Sequence, residues 1–177
     1  MMRRFLFACF CALSGLCQAA DPVQIQGVEN SYRICDDVYR SGQPDKEGFT
    51  ALEEMGIRSV LNLREYHKNT RKARHTRLHL MAYPVAASEM TAGDLENCLE
   101  LIRNAPKPVL VHCWHGSNRT GMVVAAYRIV FQNWSVADAE TEFRDKRFGF
   151  REFWYKNLLK LLRETDWDAM RARLNGH

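Results

Sequence analysis

Apolar and polar positions along the chain switch between two periods, and the switches mark out the elements. Ser31 to Ile34 and Val38 to Ser41 flank Asp36-Asp37 and read as a short hairpin. Within Asp45 to Met55, Phe49, Leu52 and Met55 recur every third residue and Gly56 follows, which predicts a helix with a glycine stop. Ile57 to Leu63 returns to period two and reads as a strand. A polar stretch, Arg64 to Thr76, separates it from a second strand around Leu78 to Tyr83. Thr91-Ala92-Gly93-Asp94 is a capping-box pattern that opens a helix through Leu95, Leu99 and Ile102. Pro108 to His112 is a short apolar strand leading through a glycine-containing loop into Thr120 to Gln132. That last segment is apolar on nearly every face apart from Arg128, the mark of a buried helix. Ser135 opens a further helix with Val136, Ala139 and Phe143 inward, and Phe153 to Leu174 reads as one or two amphipathic helices. Strands alternating with helices predict an α/β fold: a single domain with a mostly parallel central sheet flanked by helices.

Ahead of these elements lies a segment of another kind. Arg3 and Arg4 precede an apolar run, Phe5 to Leu16, and Cys17-Gln18-Ala19 places small residues where a signal peptidase reads. Residues 1–19 therefore read as a secretory signal and 20–177 as the domain, which predicts a secreted or periplasmic protein. The run falls short of the ~20 residues of a membrane span, and Leu16 before Cys17 disfavours a lipoprotein site.

The chain has 177 residues, 25 Lys and Arg against 21 Asp and Glu, and 46% apolar residues, enough for one core and unlike a fibrous or disordered chain. Without Arg3 and Arg4 the basic count falls to 23 against 21 acidic, so nucleic acid is a poor partner. Cys9, Cys11 and Cys17 leave with the signal, and Cys35, Cys98 and Cys113 remain. An odd number leaves at least one thiol unpaired in an oxidising compartment. Cys35 and Cys98 read as buried, inert thiols rather than a bridge.

The chemistry lies in His112-Cys113-Trp114-His115-Gly116-Ser117-Asn118-Arg119-Thr120-Gly121. A strand ending at Cys113, a loop of small polar residues and a helix beginning near Arg119 aim backbone N–H groups and a helix N-terminus at one point. Such a point suits a tetrahedral oxyanion and favours a thiolate at Cys113. Arg119 offers a planar fork for two phosphate oxygens. Thiolate and phosphate cradle together imply phosphoryl transfer through a phosphocysteine. His112, Cys113 and His115 lack a fourth metal ligand and a second spaced pair, so no metal is expected, and no cofactor.

The run His-Cys-x5-Arg-Thr-Gly resembles the signature of cysteine-dependent protein tyrosine phosphatases, in particular their compact dual-specificity branch. Tyr39-Arg40-Ser41-Gly42-Gln43-Pro44 resembles a segment near the start of the bacterial members, and Val109 to Cys113 and Thr120 to Arg128 resemble their flanking strand and helix. The resemblance covers about Asn30 to Phe150. With the signal segment, the likeness is to periplasmic tyrosine phosphatases that restrain biofilm formation by acting on a membrane-bound diguanylate cyclase. It implies that Cys113 is the nucleophile, Arg119 the phosphate clamp, His112 a loop organiser and Thr120 the hydroxyl that helps discharge the intermediate. A phosphorylated protein substrate, including a membrane-bound signalling protein, is the implied partner.

One departure concerns the acid. The family carries an Asp on the loop after the preceding strand, and the matching stretch, Tyr83 to Met90, has none. Its place falls on Ser88, with Glu89 beside it as candidate acid. Asp94 reads as the capping residue. A phenolate leaving group, pKa ~10, needs protonation less than an alkoxide, so a weakened acid favours phosphotyrosine. Within the loop His115 is the only further cation, which also favours phosphotyrosine over inositol phosphates. The alternatives are a phosphate-binding pseudophosphatase and an inositol or nucleotide phosphatase. The basic run His67 to His75 reads as a solvated loop, and Phe148, Phe150, Phe153, Trp154 and Tyr155 as core. Trp114 suits either substrate stacking or packing, and Arg40 either substrate or a carboxylate.

Overall fold

The structure, a computed structural model, describes residues 19–176. The signal-peptide reading, apart from residue 19 at its end, thus falls on residues outside the described ones.

Strands β1 (Asp21–Pro22), β2 (Tyr32–Cys35), β3 (Val38–Ser41), β4 (Ser59–Asn62), β5 (His79–Ala82) and β6 (Val109–His112) form one sheet. Their order is β1-β2-β3-β6-β4-β5. The first three are antiparallel, and β3, β6, β4 and β5 run parallel, as the alternation of strands and helices predicts. β1 was not legible, because two residues carry no period.

Register places the site. β6 lies between β3 and β4, with Ser41 and Asn62 each opposite His112. Three strands therefore stop level, and the chain after each leaves from one edge. The carboxyl edge of a parallel sheet is where open α/β folds bind ligands. All four residues of β4 and of β6 are buried, as central parallel strands require.

Helix α1 (Lys46–Glu54) covers one face, where Phe49 and Leu52 pack with Val60 and Leu110. The other face holds the larger core, including Val109, Val111, Leu99 and Val123. Its helices are α2 (Ala92–Asn104), α3 (Asn118–Phe131), α4 (Val136–Phe143), α5 (Lys156–Glu164) and α6 (Trp167–Asn175), with α3 against the other four. The capping box is formed, Thr91 and Asp94 bonding reciprocally. α3 starts two residues earlier than its apolar run suggests, because Asn118 and Arg119 supply a polar first turn.

Arg128, the charged residue within the apolar run of α3, is 1% exposed. Its Nε and Nη2 bond both carboxylate oxygens of Glu142 at 3.0 and 2.7 Å, and Nη1 donates to the Ile34 carbonyl at 3.2 Å. A buried guanidinium is tolerated because this fork is satisfied.

Three expectations are corrected. Phe148 is core, but Phe153 and Trp154 are 75% and 72% exposed. Residues 152–154 turn before α5 instead of joining it, and Leu158, Leu159 and Leu162 fill its inward face. Cys35 is only half-buried, its Sγ 3.5 Å from the Tyr127 hydroxyl, while Cys98 is fully buried and burial pushes its thiol up to about 12. Both are free, as is Cys113. The 67–75 run is not wholly solvated: Asn69 and Ala73 are buried, and Lys72 donates to the Pro44 carbonyl at 3.3 Å. Among the described residues no helix is long and apolar enough to cross a membrane.

Candidate active site

Cys113 is the first residue after β6, and the chain turns back over the sheet edge between it and α3. Four consecutive carbonyls of this turn are held by donors outside the turn itself. The Cys113 carbonyl lies 3.0 Å from Nδ1 of His112, and the Trp114 carbonyl accepts the Gln43 N–H at 2.9 Å. The His115 carbonyl accepts from Asn30 Nδ2, and the Gly116 carbonyl from Arg40 Nη2, each at 2.8 Å. In a trans peptide unit the C=O and the following N–H point in opposite directions. Anchoring these carbonyls therefore turns the N–H groups of Trp114, His115, Gly116 and Ser117 the other way, into a concavity that favours an anion.

Glycine is needed in this turn. Gly116 has φ of +74°, and a Cβ there would lie 2.5 Å from the Ser41 backbone. Ser117 caps α3 without a side-chain hydrogen bond, whereas Asp45, Thr91, Ser135 and Asp166 each cap their helices with one. The first-turn N–H groups of α3 and its dipole thus remain for a ligand.

Arg40 lies beneath the turn, 1% exposed, with its guanidinium 4.0 Å from the Phe148 ring centroid. Burial lowers its pKa to about 10, opposed by Glu142 and Cys113. It is thereby a support for the turn and neither of the alternatives open from sequence. His112 is fully buried, and desolvation, reinforced by Arg64, Lys72 and Arg119, pushes it down to about 4.

Arg119 sits in the first turn of α3. Its Nη1 donates to the carbonyls of Leu63 and Val85 at 3.3 and 3.2 Å and pairs with Glu65 at 3.7 Å. Its Nε and Nη2 make no hydrogen bond among the described residues, so one edge of the fork stays open. Thr120 follows; its buried Oγ1 has no partner among the described residues. An orphaned buried hydroxyl is costly and points to use.

Of the carboxylates, Asp94 takes the capping role expected of it, and one not expected joins the site. Glu89 is exposed on the 87–89 turn, and its side chain has no partner among the described residues. For Asp94, burial acts upward, but hydrogen bonds from Thr91 and Tyr83 outweigh it and hold the carboxyl below its ordinary value. Asp94 is committed to its cap. The carboxylate that the fold brings against Arg119 is Glu65, which sequence reasoning missed. Arg64 was missed as well. Its guanidinium lies 4.1 Å from the Trp114 ring centroid, and its pKa is lowered by burial and by Arg119. Trp114 remains half exposed with one face so covered.

A thiol at the floor of converging N–H groups, with an open arginine fork beside it, defines a phosphate-ester site of the cysteine-dependent type. The chain belongs to the tyrosine phosphatase family, whose model matches residues 28–159. It is 29% identical over 164 residues to the dual specificity protein phosphatase TpbA of Pseudomonas aeruginosa, covering 90% of this chain and 71% of that one. The crystal structure of P. aeruginosa TpbA superposes with a TM-score of 0.80 at 27% identity, over 89% of this chain and 96% of that one. The inositol diphosphatase SIW14 of Saccharomyces cerevisiae is 31% identical over 132 residues, 69% of this chain and 46% of its own.

Proposed function

We propose that the chain is a secreted or periplasmic phosphatase that hydrolyses phosphotyrosine in proteins through a phosphocysteine on Cys113. The observation that carries this is the set of four outward-anchored carbonyls, which prepares N–H groups for the equatorial oxygens of a phosphoryl group before any substrate arrives. Cys113 Sγ attacks phosphorus, and the ester oxygen departs with the bonding pair and takes a proton from Glu89. The phosphoryl oxygens rest on the 114–117 N–H groups and on the open edge of Arg119. Water, giving a proton to the Glu89 carboxylate left by the first step, then displaces Sγ from phosphorus, with the Thr120 hydroxyl donating to the departing thiolate. TpbA has been crystallised in complex with pTyr, which supports an aryl phosphate, and a membrane-bound signalling protein is the substrate that the reading favours.

One observation favours a second reading. Arg64 adds a cation beside the turn that the loop composition does not contain, and SIW14 is an inositol diphosphatase. Hydrolysis of a phosphotyrosyl peptide, a phosphoseryl peptide and an inositol polyphosphate should be compared in EDTA and reductant. A kcat/KM highest for phosphotyrosine supports the first reading. A preference for the polyphosphate replaces it, and binding without turnover means a pseudophosphatase.

A further inference from the structure

Behind the phosphate turn runs a chain of side-chain hydrogen bonds that ends on the nucleophile's own peptide. Arg64 Nη1 donates to Gln43 Oε1 at 2.6 Å, Gln43 Nε2 to Asn69 Oδ1 at 3.3 Å, and Asn69 Nδ2 meets His112 Nε2 at 2.8 Å. His112 Nδ1 then meets the Cys113 carbonyl at 3.0 Å.

The direction of every link can be deduced from either end. A guanidinium only donates, so Gln43 must accept with Oε1 and donate with Nε2, and Asn69 must do likewise. That delivers an N–H to His112 Nε2, which must be bare. From the other end, a carbonyl only accepts, so Nδ1 of His112 must carry the proton. With His112 neutral, as its burial dictates, Nε2 is again bare. Gln43 Nε2 also donates to the Pro44 carbonyl at 3.0 Å, which forbids the flipped amide. Two independent ends demand one polarity.

We propose that Gln43 and Asn69 are positioning residues: with Arg64 as its fixed donor, this relay holds His112 in the Nδ1–H tautomer, and His112 thereby sets the Cys113–Trp114 peptide plane. The inference rests on the turn being the phosphate cradle. Gln43 acts twice, because its backbone N–H also holds the Trp114 carbonyl. Arg64 closes the ring by lying over the Trp114 side chain. The turn after β6 is thus braced by the segments that follow β3 and β4, all leaving one sheet edge. Without the relay His112 is free to move its proton to Nε2. The Cys113 carbonyl then loses its donor, and the Trp114 N–H loses its aim.

The test reads the proton directly. In the full chain labelled with 15N-histidine, long-range proton–nitrogen correlation separates Nδ1–H from Nε2–H, and the His112 ring is identified as the one whose signals vanish in His112→Gln. The wild type should show Nδ1–H alone. Asn69→Leu, and Gln43→Met which does not touch His112, should each admit the Nε2–H form and weaken tungstate binding by about tenfold, on the scale of one hydrogen bond. A wild-type Nε2–H signal overturns the relay whether or not the variants fold. An unchanged tautomer or unchanged tungstate affinity in either folded variant overturns the positioning role. The tautomer is read without substrate, so a protein that shows the relay but hydrolyses no phosphate ester contradicts the phosphatase reading and leaves the relay standing.

Discussion

The carboxylate of Glu65 lies 3.7 Å from Nη1 of Arg119, on the side of the guanidinium that also bonds the Leu63 and Val85 carbonyls. Nη1 is therefore fastened to the ends of two neighbouring segments, while Nε and Nη2 make no hydrogen bond among the described residues. Glu65 holds the clamp in place, and Glu89 is the acid candidate.

These roles separate by leaving group. Glu65→Gln should lower kcat/KM by about tenfold, ~1.4 kcal/mol, for p-nitrophenyl phosphate and phenyl phosphate alike. Glu89→Gln should spare the nitrophenyl ester and cost 10²- to 10⁴-fold on the phenyl ester, whose leaving group needs the proton. Asp94→Asn should lower thermal stability with little change in either rate. A Glu65→Gln loss confined to the phenyl ester would exchange the assignments of Glu65 and Glu89.

The cradle was legible in the sequence because its parts are contiguous: strand end, small-residue turn, arginine and helix occupy residues 109–121. Asn30, Gln43, Arg64, Glu65 and Asn69 were not legible as parts of the site, and Arg40 was read as meeting substrate or a carboxylate, not as a support for the turn. They reach it only because β6 inserts between β3 and β4, and no local pattern states strand order. The signal that could have found Gln43, Arg64, Glu65 and Asn69 is a rule of topology: polar residues just past the carboxyl ends of parallel strands gather at the site. Helices α1 and α2 were read from their caps and periods. Phe153 and Trp154 were misread because hydrophobicity alone does not separate a turn from the helix it precedes.

Buried His112 makes stability depend on pH. Its folded pKa of about 4 lies below the ordinary 6.5, so the unfolded chain binds the extra proton first. Stability from this group is complete above pH ~6.5 and falls as the pH drops toward 4, by on the order of 3 kcal/mol. Urea titrations from pH 7 to 4 should show that loss, and His112→Gln should flatten it. An equal slope in the variant would assign the acid lability to other groups.

Removing the partner of Arg128 strands a buried cation. Glu142→Ala should destabilise the fold by about 3–5 kcal/mol, seen in chemical denaturation, although Glu142 makes no contact with the phosphate turn. A loss below about 1 kcal/mol would mean that the Ile34 carbonyl and Gln132 suffice for the guanidinium.

Gly116→Ala forces a side chain into left-handed backbone, at about 1–2 kcal/mol, and against the Ser41 backbone, which cannot step aside. Tungstate affinity should collapse together with stability. Tungstate binding as in the wild type would show that the turn's N–H groups do not form the anion site.

In the proposed mechanism Cys113 carries the phosphoryl group. The measurement is rapid quench of the enzyme with a 32P-labelled phosphotyrosyl peptide, followed by mapping of the trapped label. A phosphoenzyme that forms within one turnover, localises to Cys113 and is absent from Cys113→Ser is the expected result. Turnover with no trapped intermediate, or undiminished turnover by Cys113→Ser, would contradict it.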